Sequence, residues 1–365
     1  MGLSLGERGR RYSLIRQEMV KQNLDVLVII GRDGSNSRGN HRYLSGYGVI
    51  AAFDHYVVFP QETVEPVFFS GGSPSARTPN ARGWVNDIRG ERNPHKPLEE
   101  EVARFKTSGG IGLVQIDTIP IPFYLDLVKK FGTEAIRDAT DIFKNARLVK
   151  SKEEIECCRK SAKVANDVYL HLKNIVRAGL TDWEIYGDVR RLIHEGHCEY
   201  SMELINCGES DGSYAPIGSV LAEGGRIGIE ITPAYEGYYS QLRVDVPVSP
   251  PSASRRKLFE VWEKGYVAAI EALRPGSKAC DVYHAVDNAI QSKGLTPGGR
   301  AGHSIGLDVD EFLSLDPQDE TVIEPGMTIV IHPTVLGKDG ERMMLGGTFM
   351  VTKNGQEALN DVDFF

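Results

Sequence analysis

Apolar positions in the first part of the chain alternate between helical and strand-like spacing. Residues 7–22 repeat apolar groups at helical intervals, and the run LDVLVII at 24–30 has the continuous apolar character of a buried strand. Further strands are predicted at 49–60, 65–70 and 109–116. We expect turns at 40–48 and an irregular stretch with one short helix at 71–108. This order predicts an α/β layer.

The helical pattern becomes stronger near residue 147, where a domain boundary is predicted. Ser151 and Glu154 have capping-box spacing, in which each side chain satisfies a free amide of the first helical turn, and Thr181 and Glu184 repeat it. Further helices at 253–273 and 278–293, strands at 200–248 and a strand-rich end complete the pattern. We therefore expect two domains, residues 1–147 and 148–365.

Composition narrows the classes of function. The chain has 365 residues, 41% of them hydrophobic, and a net charge of −8 with scattered basic residues, which argues against a nucleic-acid surface. We see no apolar stretch long enough for a signal peptide or a membrane span, and expect no membrane association. Five cysteines without zinc-type spacing predict free thiols in a reducing cytoplasm.

Several segments in order resemble one known family. RYLSGY, SKEEIECCRKSAKVA, LRPGSKACDV, GHSIG and VTKNGQEAL are similar to stretches of the creatinase, prolidase and aminopeptidase P superfamily, and the resemblance covers nearly the whole chain. It implies an α/β (α+β) fold class. A creatinase-like N-terminal α/β domain would precede a pita-bread catalytic domain, whose curved antiparallel sheet is backed by helices.

The resemblance also identifies departures from the family's metal site. Metal-dependent members hold two divalent ions with two aspartates, one histidine and two glutamates, and the ions activate a bridging water. When this sequence is aligned with that pattern, the five ligand positions fall on Glu230, Gln241, His303, His332 and Gly346. Gln and Gly cannot supply the anionic oxygens that offset two dications. We therefore expect no metal and no cofactor.

The remaining polar residues predict acid–base chemistry in the pocket. His303, His332 and Glu230 are the candidate catalytic residues, because imidazole carries protons near neutral pH. The candidate substrate-binding residues are Gln241, Arg243, Tyr214, Asp310, Glu311, Arg42 and His55. The two arginines among them suit a carboxylate on the substrate. For Arg243, the structural alternative is a buried ion pair with Asp245 or Glu230. Arg42 and His55 lie in the N-terminal domain, which in creatinase-like dimers closes over the partner subunit's site.

These residues favour a metal-independent hydrolase that cleaves a non-peptide C–N bond in a small, carboxylate-bearing metabolite, as creatinase does. A lyase or decarboxylase using the same acid–base pair is the runner-up. There are three further alternatives. The first is an enzyme with one divalent metal held by His303, His332 and Glu230. The others are an Xaa-Pro peptidase and a catalytically inactive peptide-binding module. The resemblance implies a homodimer, and the free thiols predict a cytoplasmic protein.

Overall fold

The computed structural model describes residues 3–32, 34, 36–48, 53–71, 83–207, 215–337 and 340–364. Two compact units account for them, Met1–Arg147 and Leu148–Phe365. Each unit has its own apolar core, one under the helices of the first unit and others between the sheets and helices of the second.

A mixed six-stranded sheet forms the first unit. Its elements are α1 (Leu5–Lys21), β1 (Leu24–Gly31), α2 (Gly39–Ser45), β2 (His55–Pro60), β3 (Val67–Ser70), β4 (Asp87–Gly90), α3 (His95–Phe105), β5 (Gly110–Val114), α4 (Ile121–Phe131), β6 (Ile136–Asp138) and α5 (Thr140–Arg147). The strand order is β4-β3-β2-β1-β5-β6. The predicted helix at 7–22 and strand at 24–30 are confirmed as α1 and β1.

The prediction of turns at 40–48 is wrong for the first half of that segment. Gly39 to Ser45 form helix α2, and every residue in it is buried. The helix ends at Gly46, whose φ of +70° suits glycine because it carries no side chain. Tertiary packing, which local turn propensity does not report, therefore decides the conformation of this segment.

The described residues of the second unit include four helices. They are α6 (Lys152–Ile175), α7 (Asp182–Glu195), α8 (Ala253–Ala272) and α9 (Ala279–Gln291). Both predicted capping boxes are present: Ser151 accepts from the amide of Glu154, and Thr181 accepts from the amide of Glu184. Among the described residues, no helix combines the length and the apolar character that crossing a membrane requires.

Removing the first of these caps should destabilise the second unit. In Ser151→Ala the amide of Glu154, which lies 3.2 Å from the Ser151 hydroxyl, loses its acceptor. We expect the free energy of unfolding, measured by urea denaturation, to fall by about 1 kcal/mol. Ser13→Ala, in an exposed position on α1, is the control and should change it by less than about 0.5 kcal/mol.

Where the structure describes the second unit, its strands form two larger sheets and a smaller one. Their strands are β7 (Tyr200–Cys207), β8 (Arg226–Tyr235), β9 (Tyr238–Tyr239), β10 (Leu242–Pro247), β11 (Thr296–Pro297), β12 (Gly302–Ser304), β13 (Thr328–Ile331), β14 (Thr334–Leu336), β15 (Arg342–Met344), β16 (Gly347–Thr352) and β17 (Gly355–Ala358). One sheet has the order β10-β8-β7 and the other β12-β13-β16-β17. Reciprocal hydrogen bonds between Arg243 and Gly346 join them.

Candidate active site

Glu230 lies in the middle of β8, where the two sheets of the second unit meet. It is opposite Arg243 of β10 and Leu204 of β7, and only 4% of its surface is exposed. Burial raises the pKa of Glu230, whereas the positive charges of Arg243 and Arg300 and a hydrogen bond from Gln241 act in the opposite direction. Glu230 is thus a buried carboxyl group close to two guanidinium groups.

His303 and His332 face each other from neighbouring strands. His303 lies in β12, and His332 follows β13, with its amide bonded to Ala301. Their ring centroids are 5.1 Å apart. Nδ1 of His303 lies 3.0 Å from the carbonyl oxygen of Ser304, whereas Nδ1 of His332 is buried and has no hydrogen-bond partner among the described residues. The pair therefore keeps ring nitrogens available to a ligand.

Both imidazoles are neutral at neutral pH. Burial, together with the charge of Arg300, lowers the pKa of His303 to about 4. Burial, and then the neighbouring His303, lower the pKa of His332 to about 3. A neutral imidazole presents one donor and one acceptor nitrogen, so each ring can accept a proton.

Arg300 is the residue of this site that the sequence did not reveal. Its guanidinium forms an ion pair of 2.5 Å with Asp310, and its charge also influences Glu230, His303 and His332. The positive charge of Arg300 therefore acts on all three candidate catalytic residues. The only available signal was a single arginine three residues before His303.

Lowering the pH from 7 to 5 should destabilise the wild-type protein more than His332→Gln. Below pH 6.5 the unfolded chain binds a proton on His332 that the folded chain, whose His332 pKa is about 3, does not bind. The stability contributed by the neutral ring is therefore complete above pH 6.5 and is lost as the pH falls toward 3. Between pH 7 and pH 5, we expect the free energy of unfolding, measured by urea denaturation, to fall by about 2 kcal/mol less in the variant than in the wild type. Equal losses would contradict the burial of a neutral ring.

The other predicted substrate-binding residues have varied surroundings. Asp310 pairs with Arg300, and its Oδ1 lies 3.9 Å from Nδ1 of His303. Glu311 forms a fully buried ion pair of 2.6 Å with Lys150, so its carboxylate is already engaged. Tyr214 lies outside the described residues.

Arg243 lies opposite Glu230, one of the two carboxylates predicted as its ion-pair partner, the other being Asp245. Asp245 is bound by Arg226 at 3.0 Å and by Arg255. Arg243 donates to the carbonyl oxygen of Leu204 at 3.3 Å and stands beside Glu230 in register. Its positive charge is therefore directed toward the carboxyl group of Glu230.

Arg42 and His55 are buried in the first unit. Arg42 lies on α2, and His55 begins β2, where its ring stacks on Phe68 with centroids 5.5 Å apart. Their contribution to the site of a second subunit stays a prediction.

Gly346 shows that a carboxylate side chain has no room at its position. A Cβ atom there would lie 1.9 Å from the carbonyl oxygen of Ile331, far inside van der Waals contact. Gln241 is an amide, so two of the five positions supply no anionic ligand. No group of three or more His, Cys, Asp or Glu side chains placed for a metal ion occurs in the described part of the chain, which includes Glu230, His303 and His332. Gln241 and Gly346 therefore do not fit the family's five-ligand set for two ions.

Comparison with known proteins identifies the family. The model of metallopeptidase family M24 matches residues 156–353. The chain belongs to this family. A relative named Xaa-Pro dipeptidase, from Pyrococcus horikoshii, is 23% identical over 266 residues, covering 71% of this chain and 76% of the relative. A relative named ectoine hydrolase, from Halomonas elongata, is 23% identical over 384 residues, covering 95% and 93%.

Solved structures confirm the predicted fold. A dipeptidase PepE from Mycobacterium ulcerans superposes with a TM-score of 0.83 at 20% identity, covering 100% of this chain and 98% of that one. The predicted pita-bread superfamily and α/β fold class are confirmed. The relatives are hydrolases, and the chain is a hydrolase of the same family.

The comparisons also correct the predicted chemistry. We expected a metal-independent, creatinase-type enzyme without a cofactor, and this is wrong, because the matching family is one of metallopeptidases and its relatives here include Xaa-Pro dipeptidases. The prediction failed because it inferred the whole reaction from the replaced ligand positions. Those positions describe which side chains are present and do not determine the class of reaction.

Proposed function

We propose that the chain hydrolyses the C–N bond of a peptide amide in a small substrate, and that Xaa-Pro dipeptides are its substrate class. The observation that supports this most strongly is the neutral His303–His332 pair, buried and with a ring nitrogen of His332 unbonded among the described residues. Amide hydrolysis needs such a group, because the attacking water must lose a proton and the leaving amine must gain one.

The tautomer of His303 follows from its hydrogen bond. A carbonyl oxygen can only accept, so Nδ1 of His303 carries the hydrogen that it donates to Ser304. Its Nε2 therefore presents a lone pair. In the proposed reaction this nitrogen takes the proton of a water whose oxygen bonds to the amide carbon. The C–N bond then breaks, and the proton passes by way of the neighbouring His332 ring to the leaving nitrogen.

Positive charge beside Glu230 would stabilise the reacting amide. As the water adds, the carbonyl oxygen of the amide becomes negative, and a fixed cation in a dry site stabilises that charge. Arg243 and Arg300 are the two guanidinium groups near Glu230. Because burial raises the pKa of Glu230, its carboxyl group also holds a proton more readily than an exposed glutamate.

A substrate panel tests the proposal. Purified protein would be assayed with glycylproline, alanylproline, glycylglycine and ectoine, with manganese, cobalt or zinc salts added in separate arms. We expect release of free proline from the two Xaa-Pro dipeptides in at least one arm. Turnover of ectoine without cleavage of any dipeptide would contradict the proposal, and so would the absence of proline release in every arm.

A further inference from the structure

A groove with a volume of about 600 Å³ lies at one end of the strands in the first unit. The start of β2, the end of β3 and the first turns of α3 and α4 contribute its walls. β2 begins opposite the carboxyl end of β1, and α4 follows β5, which runs parallel to β1. In α/β layers, ligands bind outside the carboxyl ends of parallel strands. The groove therefore has both the position and the size of a small-molecule site.

Tyr56 brings a polar group without a protein partner into the wall of this groove. Only 2% of its surface is exposed, and its ring packs edge-on against Phe123 of α4 with centroids 6.2 Å apart. No described residue forms a hydrogen bond with the Tyr56 hydroxyl, although buried hydroxyl groups are nearly always bonded. Burial raises the pKa of Tyr56 to about 12. The hydroxyl therefore keeps its hydrogen and can donate it to a ligand.

Two helices of eleven residues each begin at the groove without side-chain caps. Their N-cap residues are Pro94 and Pro120, which have no side-chain oxygen to accept a hydrogen bond from the first turn. Neither first turn contains an acidic residue. The aligned peptide dipoles and the free amides of a helix N-terminus attract negative charge. Both helix starts therefore favour an anion in the groove.

Basic side chains add to the positive charge of the two helix starts. Arg92 precedes α3, and Lys96 lies in its first turn, where a cation opposes the helix dipole. Both are exposed, and neither forms an ion pair within the part of the chain that the structure describes. Of the acidic lining residues, Asp54 is held by Arg32 through contacts of 3.0 and 3.1 Å, whereas Asp126 lies in the second turn of α4. Positive charge is therefore in excess.

We propose that this groove binds a phosphate monoester whose organic part is aromatic or apolar. The terminal phosphate oxygens point in different directions, and the donors come from separate elements: the Tyr56 hydroxyl, the two helix starts, Arg92 and Lys96. A carboxylate, whose oxygens lie in one plane, suits this arrangement less well. The groove is larger than a phosphate group, and Phe53, 45% exposed, provides an aromatic wall for the rest of the ligand.

Phenyl phosphate is a simple probe of the groove, and phenol and benzoate are the matched compounds. Each would be titrated by calorimetry into the full chain in a phosphate-free buffer. We expect wild type to bind phenyl phosphate at least about 10-fold more tightly than either phenol or benzoate. No binding of phenyl phosphate up to about 10 mM, or equal binding of phenol, would overturn the anion site. Equal binding of benzoate would overturn the assignment to phosphate.

Variants of the lining residues show whether phenyl phosphate binds in this groove. Tyr56→Phe removes only the hydroxyl and Lys96→Gln removes one charge, and each should weaken binding about 3- to 10-fold. Lys129→Gln is the matched control, because Lys129 is exposed in the last turn of α4 and does not line the groove; its replacement should leave binding unchanged.

These outcomes do not depend on the proposed hydrolysis, because neither Tyr56 nor Lys96 belongs to the candidate active site. Unchanged binding in Tyr56→Phe would overturn the role of its hydroxyl. Unchanged binding in both groove variants would overturn the site itself. If both variants bind more weakly and Lys129→Gln does not, the site stands whether or not the substrate panel shows cleavage of Xaa-Pro bonds.

Discussion

Replacing His332 with glutamine should lower kcat for dipeptide hydrolysis by at least about 100-fold. His332 is buried against His303 at a centroid distance of 5.1 Å, and burial keeps its ring neutral at the assay pH. Glutamine retains a polar side chain of similar reach but cannot accept a proton near neutral pH. The loss should fall on kcat, because proton transfer occurs in the transition state and substrate binding does not need it.

The control for this variant is His284→Gln. His284 is exposed on α9, so its replacement removes a histidine without touching the pocket. The measurement is a steady-state assay with glycylproline on proteins whose folding has been checked by circular dichroism. If His332→Gln retained more than about one tenth of the wild-type kcat, the proton-transfer role of the pair would have to be withdrawn.

Replacing Gly346 with alanine should reduce the free energy of unfolding by about 3 kcal/mol. The added methyl group would lie 1.9 Å from the carbonyl oxygen of Ile331 and 2.7 Å from Cα of His332, and both are backbone atoms that cannot rotate away. The backbone φ of +157° at this residue also disfavours a side chain. The junction between β10 and β16 at Arg243 would have to separate.

Gly187 provides the matched control. It lies inside helix α7, and a Cβ atom there meets nothing within 4 Å. Gly187→Ala should therefore stabilise the protein by about 0.5–1 kcal/mol, because alanine loses less backbone entropy in a helix. Urea denaturation of both variants gives the comparison. If Gly346→Ala were as stable as wild type, the close packing that excludes a carboxylate from this position would be refuted.

Local sequence signals predicted much of the fold. Ser151 and Thr181 marked the starts of two helices because a capping box is defined by residues only three positions apart. The family resemblance placed His303 and His332 in one pocket, and in the structure their ring centroids are 5.1 Å apart. Helix α2 could not be predicted in this way, since its burial depends on contacts with distant parts of the first unit.

The charges of the site were much harder to predict. Arg226 and Arg255 converge on Asp245 from a strand and a helix that are far apart in the sequence, and nothing in the local pattern links them. Ion pairing depends on tertiary geometry, so one sequence reveals the charged residues but not their partners. The reaction class also required the comparisons.

The pH dependence of kcat/KM for glycylproline tests the central claim most directly. If buried, neutral imidazoles accept the proton, activity should persist below pH 6.5 and decline only toward the lowered pKa values of His303 and His332, about 4 and 3. An acid limb centred near 6.5, the value of an exposed imidazole, would contradict the account.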